Sequence, residues 1–247
     1  MVGQLSEDES ELQEEAIAYA RKNKKKIGRR LTDTSRFVPE KSPVSVFMAG
    51  SPGAGKTEAS IELLESVKGE GGDILRIDPD ELRSELPGYS GGNSWLFQGG
   101  VSILVEKVID LALKQQQSFL LDGTLARYDV ARRNVERCLR KGRFVQILYV
   151  YQEPILAWDF VQAREAREGR RILPEDFADQ YFTAREVVNR LKDEYLDIRV
   201  DLLLKNRDGS HRFYKANVER VDNYIPEKYT RADLERGCSD WIRVETC

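Results

Sequence analysis

A three-layer α/β sandwich, with a mostly parallel sheet covered by helices on both faces, is the fold class this 247-residue chain predicts. Three observations predict it. Short apolar runs alternate with stretches of helical periodicity, the pattern of strands joined through crossover helices. Two of those runs end in an acid, which puts polar groups at the carboxyl ends of strands, where such sheets bind ligands. The first run opens into a glycine-rich loop that leads straight into a helical pattern.

The elements follow in order. Residues 7–31 are charged and helix-forming, with Leu12, Ala16, Tyr19, Ala20 and Ile27 predicting one apolar stripe. Acids come early and bases late, which suits the helix dipole. The basic run Lys22 to Lys26 is interrupted by no aromatic residue and reads as a solvated helix end, not a nucleic-acid patch. Residues 32–43, with Pro39 and Pro43, form a linker. Val44 to Ala49 is the first core strand, and a helix follows over residues 58–67. Gly69, Gly71 and Gly72 mark a turn into a second strand, residues 73–78, with Asp78, Asp80, Glu81 and Arg83 behind it. Residues 88–93 are a flexible loop by composition. A long helix is expected from Trp95 to Gln116, a third strand over 118–124 and a helix over 127–141. A fourth strand spans 144–151, then helices cover 155–168 and Pro174 to about Lys192. Val200 to Leu204 is a last parallel or edge strand, and Arg212-Phe213-Tyr214 pairs back across Asp208-Gly209 as a hairpin.

The loop is Gly50-Ser51-Pro52-Gly53-Ala54-Gly55-Lys56-Thr57, a complete G-x-x-x-x-G-K-[ST]. Glycines let its backbone turn tightly enough for successive N–H groups to face one phosphate. Lys56 adds a charge at the terminal phosphates, and the Thr57 hydroxyl is a Mg2+ ligand in such loops. The loop therefore predicts a P-loop NTPase fold that binds a nucleoside triphosphate, with Thr57 as the Mg2+ position. The guanine signature Asn-Lys-x-Asp is missing. Lys205-Asn206-Arg207-Asp208 has its first two residues transposed and reads as a strand-end turn.

Three further features point to phosphoryl transfer. Asp80, just past a strand end, is placed to take a proton from a substrate hydroxyl, whereas Asp78 caps the following turn; a purely capping role for both is the competing interpretation. Asp122 follows Phe119-Leu120-Leu121 as a Walker-B-like acid that holds Mg2+ through water or grips a substrate hydroxyl. Arg164, Arg167, Arg170 and Arg171 crowd one helix end, where cations can offset charge on a transferring phosphoryl group.

Composition bounds the rest. The chain is 40% hydrophobic and 33% charged with net charge −3, which gives no argument for nucleic acid or an anionic membrane. No apolar run approaches a membrane span, and the N-terminus lacks the basic and apolar regions of a signal peptide. Cys138, Cys238 and Cys247 lack C-x-x-C spacing and read as reduced thiols, so a cytoplasmic protein is expected.

Taken together, four blocks resemble the zeta-toxin family of P-loop kinases. They are Phe47 to Glu58, the run Arg76-Ile77-Asp78-Pro79-Asp80-Glu81-Leu82-Arg83, then Leu121-Asp122-Gly123-Thr124-Leu125, and Ala163 to Arg171. Their order and spacing agree over about residues 44–205. The resemblance implies the toxin half of a toxin–antitoxin pair that uses ATP and Mg2+ to phosphorylate the 3-hydroxyl of the amino sugar in UDP-N-acetylglucosamine. It matches Lys56 to the P-loop lysine, Thr57 to the metal position, Asp80 to the base, and Arg164 and Arg171 to the arginines that embrace the phosphates. Arg83, Asp122 and Thr124 fall on the substrate side with Asp80, although Asp122 replaces the family's glutamate. A kinase for another acceptor, such as a nucleotide cofactor, would keep these residues, and a regulatory ATPase would keep the loop without needing Asp80. The expected organisation is an N-terminal helical extension and linker (1–43), a P-loop kinase core (44–223) and a C-terminal tail (224–247). The extension is expected to pack on the core, with restraint of the nucleotide site in cis, in the manner of an antitoxin, as the alternative.

Overall fold

The computed structural model describes residues 5–67, 73–169, 171–208, 210–225 and 229–244. The turn expected at Gly69–Gly72, Arg170, Gly209 and Cys247 lie outside the described residues. Six strands form one sheet: β1 (Val44–Ala49), β2 (Leu75–Ile77), β3 (Phe119–Leu121), β4 (Phe144–Tyr151), β5 (Arg199–Lys205) and β6 (His211–Lys215). Their order is β2-β3-β1-β4-β5-β6. The first five are parallel, and β6 adds antiparallel to β5 as an edge, so β5 is an interior strand.

The alternation along each strand builds the two faces. Phe47 and Ala49 of β1, with Ile147 and Tyr149 of β4, enter the larger core, while Val46, Met48, Leu148 and Val150 enter the smaller one. The smaller core is closed by α2 (Lys56–Ser66) through Ala59, Leu63 and Leu64. The larger is covered by α4 (Gln98–Lys114), α5 (Tyr128–Leu139) and α7 (Pro174–Glu194), which bury Val101, Leu104, Val108, Val135, Val188 and Leu191. Both sheet faces are thus buried, which is why Val46 to Ala49 of β1 read as a continuous apolar run and not as alternation.

The N-terminal helix α1 (Glu7–Leu31) starts at a capping box: Glu9 N donates to Ser6 Oγ and Ser6 N to Glu9 Oε2. It packs along α4 and the 3-10 turn Ser94–Phe97. Ala16 and Ala20 are fully buried there, and a methyl group on Gly28 would stand 2.9 Å from Leu111 Cδ1. Tyr19 leaves the expected stripe for solvent, and Gly28 joins the buried face in its place. Arg30 at its end pairs with Glu85 at 2.6 Å. These contacts match the expectation that the extension packs on the core.

The long helix expected from Trp95 begins later. Residues 94–97 form the 3-10 turn, and Trp95 is 51% exposed. At the other end of the chain α8 (Arg231–Val244) packs on α7 and on α6 (Pro154–Glu168). Cys238 lies there beside Trp158 and Phe177, and burial pushes its thiol up to about 12; Cys138 is raised for the same reason. Neither is placed to react as a thiolate near neutral pH. Among the described residues no helix is long and apolar enough to cross a membrane.

Candidate active site

The strand register gathers the candidate residues along one edge of the sheet. Phe47 lies opposite Leu121 and Ala49 opposite Tyr149, so Gly50, Asp122 and the start of α6 emerge side by side. Gly50, Gly53 and Gly55 all take positive φ. At Gly50 a side chain would be driven into the Val150 carbonyl, and at Gly53 into that of Ala157 on α6. Lys56 Nζ donates to Gly50 O at 3.1 Å and Ser51 O at 2.6 Å, among its contacts, which curls the loop around the head of α2. Gly50 N donates to Thr124 O at 3.3 Å, so Thr124 is held at the mouth of the loop. A helix N-terminus with inward N–H groups and a lysine is an anion site.

Beside the loop lies a charged network centred on Arg76. Arg76 projects from β2 on the face opposite Leu75 and Ile77. Its Nη2 donates to Asp78 Oδ2 and Asp122 Oδ2, both at 2.6 Å, its Nη1 to Glu81 Oε1 at 2.6 Å, and its Nε to Ser60 Oγ at 3.2 Å. The single Ser60 hydroxyl proton is shared between Thr57 O at 2.8 Å and Asp122 Oδ2 at 3.0 Å. Burial pushes the Asp78 carboxyl above the usual carboxylate range, with Arg76 opposing and Asp122 and Glu81 adding to it. Arg76→Met should therefore cost about 3–5 kcal/mol, the range for stripping one partner from a buried ion pair. The check is the denaturant midpoint, and an unchanged midpoint would mean the network is effectively solvated.

Asp78 caps α3 (Pro79–Arg83) by accepting from Asp80 N at 2.7 Å. Asp80 therefore points elsewhere, and two arginines meet it. Arg83 Nη1 donates to its Oδ1, and Arg164 Nη2, from α6, to its Oδ2 at 3.2 Å. Arg83 is 7% exposed, its Nη2 bonds Gln98 Oε1 at 2.9 Å, and its Nε has no hydrogen-bond partner among the described residues. Burial pulls this guanidinium below its ordinary value, with Arg164 adding to the effect. Arg164 Nε also donates to Glu168 Oε2 at 2.7 Å. Gly91 of the flexible loop meets the same helix end, where a methyl group would sit 2.7 Å from Glu168 O.

Not every expected residue converges. Arg171 is 64% exposed and only 3.9 Å from Glu165 at its nearest, and Arg167 pairs with Glu168 at the surface. Arg164 alone of the described three reaches Asp80. Gln98, Ser60 and Glu168 join the site without having been anticipated. Arg76 carried one usable signal, a charge alternating with apolar neighbours in a core strand.

Two oxygens suit a Mg2+ ion. They are the Thr57 hydroxyl and Asp122 Oδ1: the Thr57 backbone carbonyl and Asp122 Oδ2 both lie on the Ser60 hydroxyl, which holds the two residues near each other, and Asp122 Oδ1 accepts no hydrogen bond among the described residues. Mg2+ usually keeps waters and takes one or two protein oxygens plus phosphates, so this sparse donor set fits.

Against known proteins, a family model described as Zeta toxin matches residues 28–219. The curated Toxin PezT of Streptococcus pneumoniae serotype 4 is 26% identical over 125 residues, covering 48% of this chain and 48% of that protein. The chain thus aligns with about half the length of that relative. Among solved structures, one from the PezAT chromosomal toxin–antitoxin system of Streptococcus pneumoniae superposes with TM-score 0.59 at 17% identity, over 98% of this chain and 97% of that one. An AvrRxo1-ORF1:AvrRxo1-ORF2 structure with sulphate ions gives 0.55 at 17% identity over 90% and 73%. The corresponding structure with ATP gives 0.54 at 14% identity over 94% and 84%. These superpositions establish a shared fold.

Proposed function

Because the chain belongs to the zeta-toxin family, we propose that it is an ATP-dependent kinase for the 3-hydroxyl of UDP-N-acetylglucosamine, acting as the toxin of a toxin–antitoxin pair. One observation carries the phosphotransferase reading. Helix α6 touches the phosphate loop at Ala157 and reaches Asp80 with Arg164. Those residues are seven apart on one helical face, roughly 10 Å along the axis, so a single rigid element spans from phosphate cradle to base.

In this reading the loop N–H groups and Lys56 hold the β- and γ-phosphates. Thr57 and Asp122 would hold Mg2+, which when bound supplies charge neutralisation on those phosphates. The acceptor oxygen attacks the γ-phosphorus as its proton passes to Asp80, and the bond to the β-phosphate oxygen breaks to release ADP. Arg164 offsets the charge that spreads over the phosphoryl oxygens. On the acceptor side the candidates are Arg83, Gln98 and Thr124. Asp122 serves the metal better than the sugar, because Arg76 and Ser60 already hold its Oδ2.

The likeness to a toxin–antitoxin structure supports a protein partner. Since α1 is seated on α4, that partner is proposed as a separate chain and not as the N-terminal helix. The acceptor is tested by incubating the full chain with ATP, Mg2+ and UDP-N-acetylglucosamine and following the sugar by mass and 31P spectra. A singly phosphorylated UDP-sugar is expected. No change in the sugar, while another hydroxyl compound is phosphorylated, would replace the acceptor and keep the kinase.

A further inference from the structure

The last residue of β5 is a lysine whose ammonium has no hydrogen-bond or ion-pair partner among the described residues. Leu204 lies opposite Tyr151, so Lys205 emerges beside Gln152 on the same sheet edge as the phosphate loop. A register shift between Leu204 and Lys205, with Arg212 as the extra residue on β6, interrupts the pairing there. The backbone behind it is fixed: Asn206 N donates to Ser210 O at 2.8 Å, and Gln152 Nε2 to Asn206 O at 2.8 Å. The lysine then runs flat against the loop. A methyl group built on Gly55 would stand 3.1 Å from both Cδ and Nζ of Lys205.

Lys205 is 7% exposed, yet its ammonium makes no ion pair and no hydrogen bond with any described residue. On the adjoining elements, Glu62 of α2 pairs with His211 of β6 at 2.8 Å. A cation on so little exposed a side chain, with no anion beside it, is under-compensated. Here it also stands one residue from Lys56, at a helix N-terminus that already favours negative charge. Packing alone does not need the ammonium, since a methionine would fill the same stem. The chemistry that resolves all three features is a polyphosphate.

We propose that Lys205 is a second phosphate-binding cation of the nucleotide site, gripping a nucleoside di- or triphosphate from the β5 side of the loop while Lys56 grips it from within. This rests on the reading of residues 50–57 as a nucleotide cradle. Because it stands beside Gly55, deep in the loop, Lys205 acts on phosphates that ADP and ATP share, and its loss weakens both nucleotides alike.

The test is ADP and ATP binding by calorimetry to the full chain and to the Lys205→Met, Lys205→Arg and Lys56→Ala variants, with melting temperatures beside them. Loss of one charged hydrogen bond corresponds to about tenfold or more in affinity. Lys205→Met is expected to lose that much for both nucleotides with little change in melting temperature, and Lys205→Arg to recover most of it. Wild-type ADP affinity in Lys205→Met would overturn the proposal. So would parallel losses in Met and Arg variants that track a lowered melting temperature, which would make the residue structural. If Lys56→Ala binds as tightly as the parent, the cradle reading itself fails; if it alone loses binding, only the role of Lys205 fails.

Discussion

Replacing Asp80 by alanine is expected to cut phosphoryl transfer by about 10²–10⁴-fold, the usual contribution of a positioned general base, while ATP affinity stays close to that of the parent. The reason lies in how Asp80 is held. Its neighbour Asp78 does the capping, so the Asp80 carboxylate is spent on Arg83 and Arg164 and not on the backbone. Neither of these arginines belongs to the phosphate loop, which is why binding and chemistry should separate. Asp80→Asn is the sharper variant, because it keeps a polar group against the buried Arg83 and removes only the base. Transfer in that variant within about tenfold of the parent would be too small a loss for a base and would sink the assignment. If instead alanine lowers the melting temperature while asparagine does not, the stranded Arg83 guanidinium accounts for the difference.

Lys56→Ala should cost both binding and turnover. In the structure its ammonium bonds two carbonyls of its own loop, so removing it takes away a phosphate contact and loosens the curl that aims the loop N–H groups. Losing a charged hydrogen bond predicts about 10–100-fold weaker ATP. Losing a cation aimed at developing charge predicts a further fall of about 10²–10³ in turnover. Fluorescent-nucleotide titration and single-turnover kinetics separate the two, and unchanged ATP affinity would count against the cradle.

How much of this was legible in the sequence depends on the kind of signal. β1 and β4 are bounded as their apolar runs predict, because both lie in the middle of a sheet buried on both faces and nothing else competes for such residues. The P-loop was legible for a different reason: two of its glycines are forced by carbonyls of Val150 and Ala157, so the motif records a steric requirement. The start of α4 was not legible, since Gly99 and Gly100 weaken any helical signal there and no side chain caps the helix. Gly100 is needed because Ala16 O of α1 approaches it, a contact that joins segments far apart in sequence. The arginine cluster shows the same limit. Four arginines around Gly169 look equivalent until α6 is docked, after which Arg164, seven residues beyond Ala157, faces Asp80 and Arg171 faces solvent. Gln98 and Lys205 act through neighbours that only the folded chain supplies, and neither residue type advertises a role at its position.

The most direct test of the central claim follows the γ-phosphate of labelled ATP, with Mg2+, the full chain and a small-molecule extract of cells. The account predicts label in an organic phosphate ester, formed by the parent and lost in both Asp80→Ala and Lys56→Ala. Label found only as inorganic phosphate, released at the same rate with and without the extract and undiminished in Asp80→Ala, would contradict the kinase and leave a nucleotide-hydrolysing regulator in its place.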